Sequence, residues 1–210
     1  MSARHLVIKL VRHGESAANT RELDPKTHGD HRIPLTERGR EQAAAAGRQI
    51  GAAFLEGALV YTSPYLRARQ TLEAVLAAAG GGGTRVYEDP RLREVDHGYA
   101  DVKEQESLRE RHGWFYYRYQ GGESPADCYD RVSGFLESLM RQVERRAASR
   151  VLIVTHGLAM RCFVMRFMRM TVEDFERMRN PHNGDVITLS PRAGAARGWD
   201  VDGVRWYGDA

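Results

Sequence analysis

Arg12, His13 and Gly14 follow directly on an apolar run, Leu6 to Val11, and precede Glu15, Ser16 and a polar stretch. A buried strand ending in Arg-His-Gly would set a guanidinium and an imidazole side by side at the carboxyl edge of a sheet. Open α/β sheets bind their ligands at that edge. The glycine would permit a tight exit and a close backbone approach to an anion. The ending recurs far along the chain, where the apolar stretch Arg150 to Thr155 runs into His156-Gly157. Neutral imidazole is a good nucleophile towards phosphorus and a competent leaving group. A phosphoryl group in transfer carries charge on three equatorial oxygens and calls for cationic donors around them. The chemistry indicated is phosphate handling, with His13 as the nucleophile.

The remaining parts can be sought by role. Arg12 lies beside the nucleophile, and Arg67 lies in Ser63-Pro64-Tyr65-Leu66-Arg67-Ala68-Arg69-Gln70-Thr71. Arginine grips phosphate bidentately and stays charged, and Arg67 would sit in the first turns of a helix whose amino end also attracts anions. His156 would supply a further donor. A general acid must protonate the leaving alcohol, and Glu94, expected at a strand end, is the preferred carboxyl. Asp96, two residues on and on the same face if the strand continues, is the alternative. Asn19 either contacts phosphate or caps a turn. His28 and His31 have a spacing that could serve a metal, yet they stand in a polar loop without Cys or His partners, so they read as solvated or substrate-side. Arg69 is expected to face solvent or pair with acids.

These groups need a frame. Hydrophobic residues make up 42% and charged residues 28% of 210, a globular composition for one domain of ordinary size. The net charge of +3 is too small to argue for nucleic acid. The first apolar run is too short for a signal peptide, and Leu158 to Met170 is interrupted by Arg161, Arg166 and Arg169. No membrane span and a cytoplasmic location are therefore expected. Cys128 and Cys162 read as buried, reduced thiols, and Met160, Met165, Met168 and Met170 as core filling.

In chain order, the patterns predict a strand at Leu6–Val11 and a loop or short helical pieces over Ser16–Arg32. A helix capped by Thr36 should run to about Phe54. A strand at Ala58–Thr62 is followed by a helix opened by Ser63-Pro64. A glycine turn (Gly80–Gly83) leads to a short strand from Val86 that ends in Arg91-Leu92-Arg93-Glu94. Residues 95–122 read as helical cover over the site, with Trp114–Tyr119 as a core-facing helix and Tyr117 or Arg118 at the pocket mouth. Glu123-Ser124-Pro125 opens a long amphipathic helix. The strand Arg150–Thr155, a helix, a short helix at Val172–Met178, a strand at Val186–Leu189 and a hairpin-like Arg192–Gly198 complete the chain. Strands alternating with helices imply a three-layer α/β/α sandwich with a mostly parallel central sheet.

With those residues in view, the chain resembles the histidine phosphatase superfamily, also called phosphoglycerate mutase-like. Arg12-His13-Gly14-Glu15-Ser16 with Asn19, the Ser63–Thr71 stretch, and Leu92-Arg93-Glu94 with Asp96 and Gly98 look like its motifs. Gly122-Glu123-Ser124 with Asp127 and Arg131, and Val154-Thr155-His156-Gly157, follow in family order. The stretches Asp30–Thr36 and Phe115–Arg118 look like the broad-range acid phosphatase branch. Thr27-His28-Gly29-Asp30 stands where the mutases hold the phosphoglycerate carboxylate, which turns the expectation to a phosphatase. His97 stands where many members carry an aromatic.

The resemblance implies a phosphomonoesterase acting on small-molecule phosphate esters by double displacement. His13 attacks, Arg12, Arg67 and His156 hold the equatorial oxygens, and Glu94 serves as acid and then as base. Arginines supply the charge, so no metal or organic cofactor is expected. A homodimer is left open. The alternatives are a phosphoglycerate mutase-type phosphoryl transferase and a non-catalytic phospholigand-binding module.

Overall fold

The computed structural model describes residues 6–101, 103, 105–194 and 198–207. Strand β1 (Val7–Arg12) leads through a polar segment, with a one-turn helix α1 (Pro25–His28) and a 3-10 turn (Asp30–Arg32), into α2 (Glu37–Ile50). Then follow α3 (Ala52–Leu55), β2 (Leu59–Thr62), α4 (Leu66–Ala79), β3 (Val86–Glu88), a 3-10 turn (Pro90–Leu92) and α5 (Glu106–His112). The second half contains α6 (Pro125–Arg146), β4 (Arg150–Thr155), α7 (Gly157–Met168), α8 (Val172–Arg177), β5 (Met178–Arg179), β6 (Val186–Pro191), β7 (Trp199–Asp202) and β8 (Arg205–Trp206).

Six strands form one sheet in the order β3-β2-β4-β1-β6-β7, and β5 pairs with β8 separately. The pairs β2–β3, β2–β4 and β1–β4 are parallel, and β6 and β7 add an antiparallel edge. Alternate residues of these strands enter two cores. Ile8, Leu10, Tyr61, Val151 and Ile153 pack with Phe135 and Leu139 of α6 and Phe163 of α7. On the opposite face Val11, Val60, Leu152 and Val154 meet Ala43 and Ala46 of α2 and Leu72 and Val75 of α4. The fold is therefore the expected α/β/α sandwich with a mostly parallel sheet. A central strand covered on both faces must be apolar throughout, which explains the unbroken run of β4.

Local chemistry sets the helix ends. The Thr36 side chain accepts the Gly39 N–H as the N-cap of α2. Ser124 and Asp127 form a reciprocal capping box with Pro125 in the first turn of α6. Gly14 and Gly39 are required by contact. A Cβ on Gly14 would stand 2.1 Å from the Gly39 carbonyl oxygen, and one on Gly39 would stand 2.0 Å from that of Glu15. The glycine after His13 thus serves the approach of α2 to the β1 exit. Its N–H is taken by Thr71 Oγ1 at 3.0 Å, so the expected approach to an anion is corrected.

Several expectations are revised. The helix from Thr36 does not reach Phe54, because Gly51 (φ 72°) ends it and α3 starts afresh. The helix after β2 begins at Leu66 rather than at Ser63-Pro64. The strand containing Val86 ends at Glu88, so Glu94 lies beyond a 3-10 turn and not at a strand end. Within the cover over 95–122, only Glu106–His112 is helical among the described residues; Val102 and Glu104 lie outside them. Trp114–Tyr119 is core-facing as expected, but it is not helical. Phe115, Tyr117 and Tyr119 are buried, while Tyr116 and Arg118 point outward. The Arg192–Gly198 connection joins antiparallel β6 and β7, its middle (195–197) lying outside the described residues. Cys128 and Cys162 are buried free thiols. Among the described residues no helix is long and apolar enough to cross a membrane.

Candidate active site

Parallel pairing of β1 with β4 puts Arg12 opposite Thr155, so His13 and His156 leave adjacent strands at the same edge. The backbone continues the ladder, with the His13 N–H on the Thr155 carbonyl (2.9 Å) and the Ser63 N–H on that of Val154 (3.0 Å). Three strand ends thus converge, and the His13 and His156 ring centroids lie 5.2 Å apart.

The tautomer of each imidazole follows from its partners. His13 Nδ1 lies 2.7 Å from the Gly14 carbonyl oxygen. A carbonyl only accepts, so Nδ1 carries the proton and Nε2 of the neutral ring keeps its lone pair. Burial, then Arg67 and Arg12, hold the His13 pKa well below the usual histidine value. The ring is therefore neutral at neutral pH. His156 Nε2 lies 2.8 Å from Ser63 Oγ, which itself accepts the Tyr65 N–H at 3.3 Å. When the hydroxyl gives its own proton to Nε2, the ring proton falls on Nδ1. That atom is buried without a partner among the described residues. Burial first, and then Arg67, keep the His156 pKa well below its ordinary value. In that tautomer His156 offers one unspent N–H donor.

Arg12 donates through Nη1 to the Pro181 carbonyl at 2.5 Å, and its buried Nε is unpartnered among the described residues. Arg67, at the start of α4, is held by Asp30. Its Nη1 meets Asp30 Oδ1 and the Asp30 carbonyl, both at 2.7 Å, and Nη2 meets Oδ2 at 3.1 Å. Three of its five N–H groups are engaged, leaving Nε–H and one Nη2–H for a further anion. Tyr65 lies beneath the guanidinium, its ring centre 5.0 Å away.

Glu94 reaches the amino end of α7. Its Oε1 accepts the N–H groups of Val95 (3.0 Å) and Ala159 (3.2 Å), and Oε2 accepts that of Leu158 (3.3 Å). A carboxylate has about four lone-pair directions. Three are filled, so the free one is on Oε2, where a proton could be carried. Asp96, the alternative, is exposed with Oδ1 on the Gly98 N–H.

Arg12, His13, Asn19, Arg67 and Glu94 line one cavity of about 560 Å³. Its outer walls include Asp24, Lys26, His31, Asp96 and His97. His156 packs behind His13 and Tyr65. Asn19 closes a turn by accepting the Ser16 N–H and hydroxyl at 3.0 Å, which leaves its Nδ2 for any ligand contact. Tyr117 and Arg118 are not at the mouth: Tyr117 bonds Gln105, and Arg118 pairs with Asp127. Arg69 lies 3.9 Å from Glu88. His28 bonds within its own turn and lies outside the cavity. A second hollow of about 540 Å³ beside β3 and α6 contains neither imidazole, so chemistry and not size identifies the site.

Three residues escaped the sequence reading. Asp30 stands in the Asp30–Thr36 stretch, but only the fold shows that it grips Arg67. Ser63 precedes the helix and orients His156. Asn183 donates to the His13 carbonyl (3.0 Å) and to Asn19 Oδ1 (3.2 Å), and nothing in the 180–185 loop signals it.

Comparison with known proteins supplies the chain's relatives. A model of the histidine phosphatase superfamily (branch 1) matches residues 8–202. Phosphoglycerate mutase-like protein AT74H of Arabidopsis thaliana is 43% identical over 82% of the chain and 69% of its own length. Broad-range acid phosphatase DET1 of Saccharomyces cerevisiae is 27% identical over 90% of the chain and 86% of its own length. In fold, a mycobacterial glucosyl-3-phosphoglycerate phosphatase superposes with a TM-score of 0.75 at 22% identity, covering 94% of this chain and 97% of that one.

Proposed function

The chain belongs to the histidine phosphatase superfamily, branch 1, and on that premise we propose that it is a metal-independent phosphomonoesterase working through a phosphohistidine. The observation that carries this reading is the Nδ1–Gly14 bond of His13, which leaves an unprotonated Nε2 between two arginines.

His13 Nε2 attacks the phosphorus of a phosphate monoester in line, and the bond to the alcohol oxygen breaks. Glu94 gives its proton to that oxygen from Oε2, and the alcohol leaves. The Nε and Nη2 hydrogens of Arg67, Nε of Arg12 and Nδ1–H of His156 receive the equatorial oxygens, in which charge is spread during transfer. Asn19 contributes through Nδ2. Water then loses a proton to the Glu94 carboxylate and attacks phosphorus, the P–N bond breaks, and inorganic phosphate leaves His13 neutral.

The name of the yeast relative supports a phosphatase, and that of the plant relative keeps a mutase in view. Outside the phosphate centre the cavity offers Asp24 and Asp96 with Lys26 as its lone lysine or arginine among the described residues, a poor match for a second anionic group. Phosphate release from sugar phosphates, phosphoglycerates, nucleotides and an aryl phosphate, without added metal, tests this. Release from several substrates is expected. Isomerised phosphoglycerate without net release would favour the mutase, and phosphate binding without turnover a binding module.

A further inference from the structure

Glu123 and Arg131 belong to a sequence motif that the proposed chemistry leaves unused, and neither lines the cavity. The Arg131 side chain, on the second turn of α6, is only 11% exposed. Its Nη1 donates to the carbonyls of Arg91 (2.6 Å) and Arg93 (2.8 Å), and its Nε and Nη2 grip Glu123 at 3.2 and 3.1 Å. Four of the five guanidinium hydrogens are thereby spent, which excludes a direct grip on phosphate. Glu123 also accepts from the Arg93 guanidinium and, at 3.4 Å, from the Asp96 N–H, while its own N–H donates to the Asp96 carbonyl at 2.8 Å. From β4, Thr155 Oγ1 donates to the Leu92 carbonyl at 2.6 Å.

Apart from the Arg131–Glu123 pairing itself, these bonds fall on residues 91–96, to either side of Glu94. That segment begins in the 3-10 turn and runs on beyond it in no strand, so sheet pairing does not hold it. Arg131 of α6, Glu123 just ahead of that helix and Thr155 of β4 do.

We propose that Glu123 and Arg131 are the positioning pair for Glu94, acting on proton transfer to the leaving oxygen rather than on phosphate binding. The inference rests on Glu94 being the general acid. A displacement near 1 Å in a reacting group is worth roughly 10²-fold in rate, so modest loosening of this segment should be visible in kinetics.

Leaving-group dependence separates this role from a merely structural one. An alkyl phosphate needs its leaving oxygen protonated, whereas nitrophenolate leaves with little help. Because kcat/KM reports the steps up to alcohol release, it isolates the acid's contribution. For Glu123→Gln and Arg131→Lys we expect kcat/KM on glycerol phosphate to fall roughly 10- to 100-fold. On nitrophenyl phosphate the fall should be no more than about threefold, with inhibition by inorganic phosphate unchanged. Glu94→Gln should show the same bias, and Glu94→Gln combined with Glu123→Gln should be no worse than Glu94→Gln alone. The near-isosteric Glu123→Gln carries the test if Arg131→Lys folds poorly.

Equal losses on both substrates, or single losses that multiply in the double variant, would overturn the positioning role while leaving the role of Glu94 intact. A Glu94→Gln enzyme without leaving-group bias would overturn the assignment of Glu94, and this proposal with it.

Discussion

His13 shows how one hydrogen bond decides a chemical role. With Nδ1 donating to the Gly14 carbonyl, only Nε2 keeps a lone pair, and it is the atom that the proposed mechanism uses. Burial and two guanidinium groups keep protons off the ring, so the proposed nucleophile stays neutral below the pH at which free histidine would be charged. Replacing Arg67 by Gln removes one of those charges and one set of donors. The expected result is a loss of about 10²–10³ in kcat/KM, the usual effect of deleting a donor to developing charge. It should come with an upward shift of the His13 titration followed by imidazole NMR. An unmoved titration would show that Arg67 does not act on His13. At this scale the sequence was informative: residue type and strand-end position made candidates of His13, His156 and Arg12, and the helix start after Ser63-Pro64 made one of Arg67. The fold groups all four at one sheet edge. Asp30 and Ser63 were not legible, because their roles depend on which polar atoms the fold brings within hydrogen-bonding distance.

Elements were legible where one signal dominated. Strand β4 is an uninterrupted apolar run and α6 carries a complete capping box, and both lie where the sequence places them. The 114–119 segment misled because its alternation is hidden. Phe115, Tyr117 and Tyr119 face the core while Tyr116 and Arg118 face solvent; with Tyr116 aromatic like its buried neighbours, the period of two leaves Arg118 as its single polar mark. Glu94 was preferred to Asp96 on its motif, although its supporting element was misjudged, since a 3-10 turn of three residues leaves no periodicity to read. The junction of β1 and α2 depends on two glycines in backbone contact. Gly39→Ala should destabilise the protein by about 1–3 kcal/mol, the typical cost of overpacking, measured as a lower urea midpoint. An unchanged midpoint would mean that α2 can shift without loss.

Across the whole molecule, the sheet order makes neighbours of strand ends that the chain keeps far apart, and it buries both imidazoles there as neutral groups. This has a consequence for stability. Unfolded histidine takes up a proton near pH 6.5, whereas folded His13 and His156 do so only well below it. Their contribution is complete above about pH 6.5 and is lost as pH falls through that value towards the folded pKa values, at about 1.4 kcal/mol per pH unit for each group. Asp89 and Asp127, whose pKa values are lowered in the fold, lose their contribution only below about pH 4. The melting temperature should therefore drop between pH 6.5 and 5, and His156→Asn should flatten that slope; equal slopes would contradict the burial argument. The most direct test of the central claim is to quench the enzyme in alkali during turnover of an aryl phosphate and map the phosphoryl group by mass spectrometry. An acid-labile, alkali-stable phosphoryl group on His13, with no phosphate release by His13→Ala, is the predicted result. Full activity in His13→Ala, or a phosphoryl group on another residue, would contradict it.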